Sequence, residues 1–392
     1  MKIFSLTLLT MVIVSQSISA TESFTEALIS GKANVDLRLR SETVEQDNSL
    51  KDADALTLRT LIGYTTGNYK GFSAKVEMED VTIVGGVDEF TVGPTGFNPG
   101  EYSVIADPET TEIDQAFIKY QTDAAAIKYG RQVIIYDNHR FVGHVGWRQD
   151  RQTYDALNIM VTPVKDLELS YSYLTKRNRI FAKAVDVSSK DNLLNVSYKS
   201  KIGKLVGYAY LLEVDNNTDN ALDTYGFRLN GPQYTVEYAT QESTIGATKF
   251  EADYLFVEGG LLLSGHTVKL GYEVLGSDNA GYGFSTPLAT VHKFNGWSDQ
   301  FLITPAQGLV DSYLLLGGKL MGGKWSAVYH AFEADDTTAT VDDLGSEINL
   351  SYAAKFNKIY NAGIKYASYS AGDAAAGKVD TDKVWLWVGV VF

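Results

Sequence analysis

No cysteine occurs among the 392 residues, so no disulfide staples the fold, and a chain of this length does not need one. Five histidines form no metal cluster: His139 and His144, near Asp137, lack a zinc-ligand spacing. Neither a resident metal nor a cofactor is expected. Positive charge is in deficit, with 34 Lys and Arg against 48 Asp and Glu and a formal net charge of −14. That balance argues against nucleic acid, whose binders present a basic surface. Beyond the first residues, no window approaches the ~20 uncharged apolar residues of a membrane-spanning helix. Only seven prolines interrupt the chain, whereas 35 Gly, 24 Tyr and 17 Phe make it aromatic-rich and β-leaning.

An export signal stands first. Met1 to Ala20 carries Lys2, an apolar run from Ile3 to Val14 broken only by Ser and Thr, and small residues at Ser17-Ile18-Ser19-Ala20. This reads as a secretory signal peptide, cleaved after Ala20 and too short to span a bilayer. The mature chain is then periplasmic, secreted or in an outer membrane. No linker, composition break or repeat divides it, so residues 21–392 read as one domain. Residues 21–33 form a lead-in with one helical turn at Phe24 to Ile29.

The chain closes on Val384-Trp385-Leu386-Trp387-Val388-Gly389-Val390-Val391-Phe392. With period two, Val384, Leu386, Val388, Val390 and Phe392 share one apolar face, which only lipid or a core accepts. A terminal strand ending on an aromatic resembles the assembly signal of outer-membrane barrels, with Phe392 as the residue read. The rival is the last strand of a soluble sandwich. Mean hydropathy slightly below zero suits a membrane barrel, because half of each strand faces water.

Alternation yields eighteen candidate strands of about ten residues each, or sixteen if two weak ones are miscounted. Long or polar segments at 41–55, 80–112, 133–153, 175–192, 214–223, 241–248, 276–308, 333–346 and 370–382 alternate with tight turns such as Gly231-Pro232 and Met321-Gly322-Gly323. Long outer loops and short periplasmic turns produce that alternation, and a sandwich does not. The fold class is therefore all-β: a transmembrane antiparallel up-and-down β-barrel with both termini inside. Several lipid faces are legible. Val35, Leu37 and Leu39 oppose Asp36, Arg38 and Arg40; Phe250, Ala252, Tyr254 and Phe256 oppose Glu251 and Asp253. A charge facing lipid at mid-depth costs about 2 to 4 kcal/mol, which assigns the charged face to the lumen.

A barrel this wide encloses a water-filled channel. Inward basic candidates fall early (Arg38, Arg40, Arg59, Lys75, Lys119, Lys128 and Arg131), and inward acids fall later (Glu237, Glu251, Asp253 and Glu273). Half a circumference separates the two groups, which suggests a transverse field at a constriction; scattered, solvated lumen charge is the alternative. Segment 80–112, rich in Gly and Pro, has the turn chemistry to fold inward and narrow the pore. In segment 276–308, Phe294 and Trp297 either stack on sugar rings or build the loop's own small core.

Gly130-Arg131-Gln132, Arg140-Phe141-Val142-Gly143, Gly146-Trp147-Arg148-Gln149 and Gln152-Thr153-Tyr154-Asp155-Ala156 resemble the alginate-export porin family. The stretch from Thr286 to Trp297, Gly271 to Asp278, and the opening Asp36 to Glu42 are similar to it as well. The resemblance implies a monomeric outer-membrane channel of 18 strands whose best-known member exports an anionic polysaccharide through an Arg-rich constriction. Carried over by position, Arg38, Arg40, Arg131, Arg148 and Arg151 form the anion-contacting set. This chain departs from the family in its mixed lumen and many acidic residues. The implied partners are outer-membrane lipid and lipopolysaccharide, the barrel assembly machinery, and small hydrophilic solutes or anionic oligosaccharides. A general diffusion porin without polyuronate preference and a plugged structural or adhesive barrel stay open. No motif announces an enzyme.

Overall fold

The computed structural model describes residues 23–392; the signal peptide expected at 1–20 lies outside them. A six-residue helix, α1 (Phe24–Ile29), is capped by Ser23, whose hydroxyl accepts from the Glu26 amide. It matches the turn expected in the lead-in.

Eighteen strands follow: β1 (Lys32–Gln46), β2 (Ala53–Thr65), β3 (Phe72–Glu89), β4 (Thr110–Gln121), β5 (Ala125–Gln132), β6 (Thr153–Val164), β7 (Leu167–Asn178), β8 (Val187–Ser200) and β9 (Gly203–Glu213). The second half comprises β10 (Ala221–Asn230), β11 (Tyr234–Ile245), β12 (Thr248–Leu263), β13 (His266–Leu275), β14 (Leu309–Leu320), β15 (Gly323–Glu333), β16 (Asp343–Phe356), β17 (Tyr360–Ser370) and β18 (Thr381–Val391). Each strand pairs antiparallel with its sequence neighbours, and β1 also pairs with β18, so the sheet is closed. Closure leaves no edge, the condition for a sheet to cross lipid. At the seam Arg38 lies opposite Gly389, Arg40 opposite Trp387 and Glu42 opposite Trp385, and the Val35 amide donates to the Phe392 carbonyl at 2.8 Å.

Tight turns join the strands at the periplasmic end. In the β14–β15 hairpin Met321 and Gly322 both take positive φ, 47° and 81°, the left-handed pair that matches strand twist. At the other end β3 runs on to Glu89, well past the loop boundary expected at residue 80. The loop at residues 90–109, L2, turns inward over β1 and β2 as expected, with its Asp107 bonded to the inward Arg40. Its Phe90, Val92 and Ile105 pack on Val44, Ala53 and Ala55 in a small cluster of their own. Two other loops enter the lumen: L3, residues 133–152, and L7, residues 276–308. They share one continuous apolar cluster with the inner wall, including Phe141, Leu288, Tyr208, Tyr254 and Phe332.

That packing reverses one expected face. On β12, Ala252, Tyr254 and Phe256 are buried on the inner side, whereas Glu251 and Asp253 are exposed on the outer side. Two physical reasons combine. The lumen here is filled by Phe141 and Phe284, whose rings lie 5.2 and 5.6 Å from Tyr254. Glu251 and Asp253 sit near the start of the strand, at the extracellular rim, where charge does not meet hydrocarbon; below them the outer face continues with exposed Leu255 and Val257.

Candidate functional site

The site is an eyelet made by L3 crossing the barrel from one wall to the other. At the seam wall, inward side chains of β1 grip the loop backbone. Arg38 donates to the carbonyls of Gly146 (3.2 Å) and Arg148 (2.6 Å) and to Oε1 of Gln149 (2.8 Å). Arg40 donates to the Trp147 carbonyl and to Asp107 of L2. Gln149 reaches on to Thr57 of β2. The loop answers with its own arginines: Arg148 donates to Glu42 (2.8 Å) and to Asp299 of L7 (3.0 Å), and Arg151 to Glu77 (2.6 Å) and Asp114. Lys383 of β18 also pairs with Asp299.

On the other side L3 and L7 are sewn together. Val142 bridges Leu288, the Gly143 amide donates to the Leu288 carbonyl (2.8 Å), and the Thr290 amide to the His139 carbonyl (3.0 Å). Arg140 is the central fastener, 1% exposed, with its guanidinium bonded to Glu273 of β13 (2.7 Å) and to Thr286 and Asn295 of L7. Above the eyelet lies a cavity of about 560 Å³ between L2, L3, L7 and the loop at residues 179–186, lined among others by Arg148, Arg179, Phe181, Phe301 and Lys383.

Burial sets the protonation of the loop groups. Burial pushes the Asp107 carboxyl up, but Arg40 and Arg148 outweigh it and hold the group below its ordinary value. Burial likewise opposes Asp299, and the hydrogen bond from His292 Nδ1 together with the Lys383 and Arg148 cations holds it well below the carboxylate range. His292 is pushed down to about 3, chiefly by burial, so it is neutral. Asp150, at the foot of L3, is pushed up to about 8, first by burial and then by Glu112.

The expected pore residues divide. Arg38, Arg40, Arg59, Lys75, Lys119 and Lys128 project inward from β1 to β5, and Arg148 and Arg151 enter on L3. Most are neutralised: Arg59 pairs with Asp36 (2.9 Å) and Lys75 with Glu77 (2.9 Å). Lys119 and Lys128 lie directly opposite each other, half-buried, with no ion-pair partner among the described residues. Arg131 is misassigned. It stands on the outer face with exposed Tyr129, paired with Asp155 (2.8 Å) and donating to the Ile113 carbonyl. Period two requires this, because Lys128 and Arg131 are three residues apart and one of them must face out. Among the acids, Glu251 and Asp253 face out as described. Glu237 and Glu273 face in but are buried and engaged, Glu237 by Arg228 and the Tyr208 hydroxyl, Glu273 by Arg140, Tyr254 and Asn295. The transverse field between basic and acidic walls therefore does not form. Of the loop aromatics, Phe294 lies under the Arg140 guanidinium at 4.9 Å, and Trp297 faces Lys365 of β17 at 3.9 Å.

Sequence reasoning passed over Asp107, Asp299 and Lys365, and quoted Arg140 only within a motif. A lone acid in a loop and a lone lysine on a strand carry no signal. Arg140 had one, an arginine beside the apolar Phe141-Val142 pair.

The family model described as alginate export matches residues 29–274. The chain belongs to the alginate-export family. Solved structures agree on the fold. Acinetobacter baumannii OccAB4 superimposes with a TM-score of 0.70 at 14% identity, covering 92% of this chain and 98% of that one. A. baumannii OccAB3 gives 0.70 at 15%, covering 93% and 100%. Pseudomonas aeruginosa OpdK, solved with vanillate, gives 0.68 at 13%, covering 93% and 99%. A comparison with curated protein sequences found no match. This member of the alginate-export family is thus an outer-membrane channel, a passive conduit and not an enzyme.

Proposed function

We propose that the channel passes small hydrophilic anions, including sugar acids and their short oligomers, in preference to neutral sugars. The observation that carries this reading is the imbalance of free charge along the lumen. Lys119 and Lys128 face each other without a carboxylate, and Arg38 is bonded only to neutral carbonyl and amide oxygens. The inward acids on the opposite wall, Glu237 and Glu273, are buried and engaged. Like charges directly opposed across a strand pair destabilise each other, and a passing anion relieves them. The family description and the carboxylate bound by OpdK lend support. A closed barrel with its own lumen favours a monomer seated in lipid and lipopolysaccharide, and Phe392 at the seam is the residue the assembly machinery would read.

Reversal potentials in planar bilayers under a salt gradient test the proposal. The native channel is expected to be anion-selective and to be blocked by uronate oligomers but not by neutral sugars. The double substitution Lys119→Gln with Lys128→Gln should abolish most of that preference. Cation selectivity in the native protein, or selectivity unchanged in the double variant, removes the basis for the reading.

A further inference from the structure

We infer that the barrel seam holds a binding site for one small, weakly hydrated monovalent anion of halide size, enclosed by L3, L7 and the wall of β16, β17 and β18. The centre of the site is Lys365, 8% exposed. Its ammonium has three donors, and one goes to Nε2 of His292 at 2.8 Å. No carboxylate pairs with it among the described residues. Instead it lies against the faces of Trp147 (4.1 Å), Trp297 (3.9 Å) and Trp385 (5.2 Å). Ring faces attract a cation but offer no lone pair to its remaining hydrogens. His292 has no acceptor left, because its Nδ1 lies 2.6 Å from Asp299 Oδ1 and must carry the proton.

Around this ammonium, buried donors outnumber acceptors. The indole N–H groups of Trp147 and Trp385 have no partner, and neither does Nε of Arg40, whose guanidinium sits 5.1 Å over Trp147. Asn349 is fully buried with both amide atoms unpartnered. It lies opposite Ala367 while Lys365 lies opposite Ser351, so Asn349 and Lys365 are diagonal neighbours on the inner face. Buried polar groups are nearly always satisfied, and four orphaned donors against one orphaned acceptor, the Asn349 carbonyl oxygen, on residues that surround Lys365 point to a missing acceptor. The charge count agrees. Arg38, Arg40, Arg148, Lys365 and Lys383 stand against Glu42, Asp107 and Asp299, leaving the cluster positive. Indole edges are electropositive and apolar, which favours iodide and bromide over chloride and chloride over fluoride. Because Trp147 belongs to L3 and His292 and Trp297 to L7, a bound anion ties both eyelet loops to the seam whatever solute passes through the pore.

Tryptophan fluorescence of the detergent-solubilised full-length protein tests the site without reference to permeation. Iodide is expected to quench a saturable fraction of the signal, chloride to compete, and fluoride to fail. Trp385→Phe, which keeps a ring and removes the N–H, should weaken the saturable component roughly tenfold. Lys365→Met should abolish it, while Lys365→Arg retains it. Heat-modifiable migration on gels reports whether each variant remains a closed barrel. Quenching that rises linearly in the native protein, or saturates equally in both the Lys365→Met and Trp385→Phe variants, overturns the inference.

Discussion

The inner wall has two chemistries, and L3 is written in both. From β16 through the seam to β4, the buried inward side chains include many charged groups: Arg40, Glu42, Arg59, Glu77, Glu79, Asp114, Lys365 and Lys383. From β6 to β15 they are mainly apolar or aromatic, among them Tyr154, Leu174, Leu193, Tyr210, Phe256, Leu275 and Phe332. L3 meets the aromatic wall with Ile134, Phe141 and Val142 and the charged wall with Trp147, Arg148, Gln149 and Arg151. The difference teaches that one wall fixes the loop by non-directional burial and the other by directed, charge-assisted hydrogen bonds.

Breaking the aromatic side should have the largest effect. Arg140→Met leaves Glu273 buried without its cation, and removing one member of a buried pair costs about 3 to 5 kcal/mol. We expect L3 and L7 to loosen together, seen as larger and noisier single-channel currents while the barrel keeps its heat-modifiable migration. The charged side should respond instead to pH. Asp150, raised to about 8, contributes docking stability that is complete below its unfolded value of roughly 4 and is lost as pH rises through 8. Gating noise should therefore grow between those limits, with a slope of up to about 1.36 kcal/mol per pH unit, and Asp150→Asn should flatten it. His144 works in the opposite sense. Held down to about 4 by burial and then by His139, it adds stability above its unfolded value that fades as pH falls through 4. The smallest effect is expected outside both walls. Arg131→Gln removes a partly exposed pair worth under about 1 kcal/mol and should leave ion selectivity unchanged; altered selectivity would return Arg131 to the pore.

Much of the barrel was legible because period two is strict. The strand number and the inward face that carries Arg38 and Arg40 follow from alternation and from counting turns. Alternation reports two faces but does not say which is wet. On β12 the aromatic face was assigned to lipid because nothing local shows that Phe141 and Phe284, more than a hundred residues apart in sequence, fill the lumen beside it. Arg131 illustrates another limit, since grouping it with the inward bases overlooks the parity that separates it from Lys128. The partners of Arg140, Arg148 and Lys365 lie on other strands and loops, and only the closed fold brings them together.

That dependence on closure has a kinetic side. The socket around Trp147 joins Arg40 of β1 to Trp385 and Trp387 of β18, elements more than three hundred residues apart. Contacts of such separation form late, after the loop-closure entropy between them has been met. Trp147 therefore has nowhere to dock until the first and last strands have joined, and insertion of L3 marks the completion of assembly. An unsealed barrel would leave that indole in water, and its emission wavelength would report, chain by chain, which barrels have zipped shut.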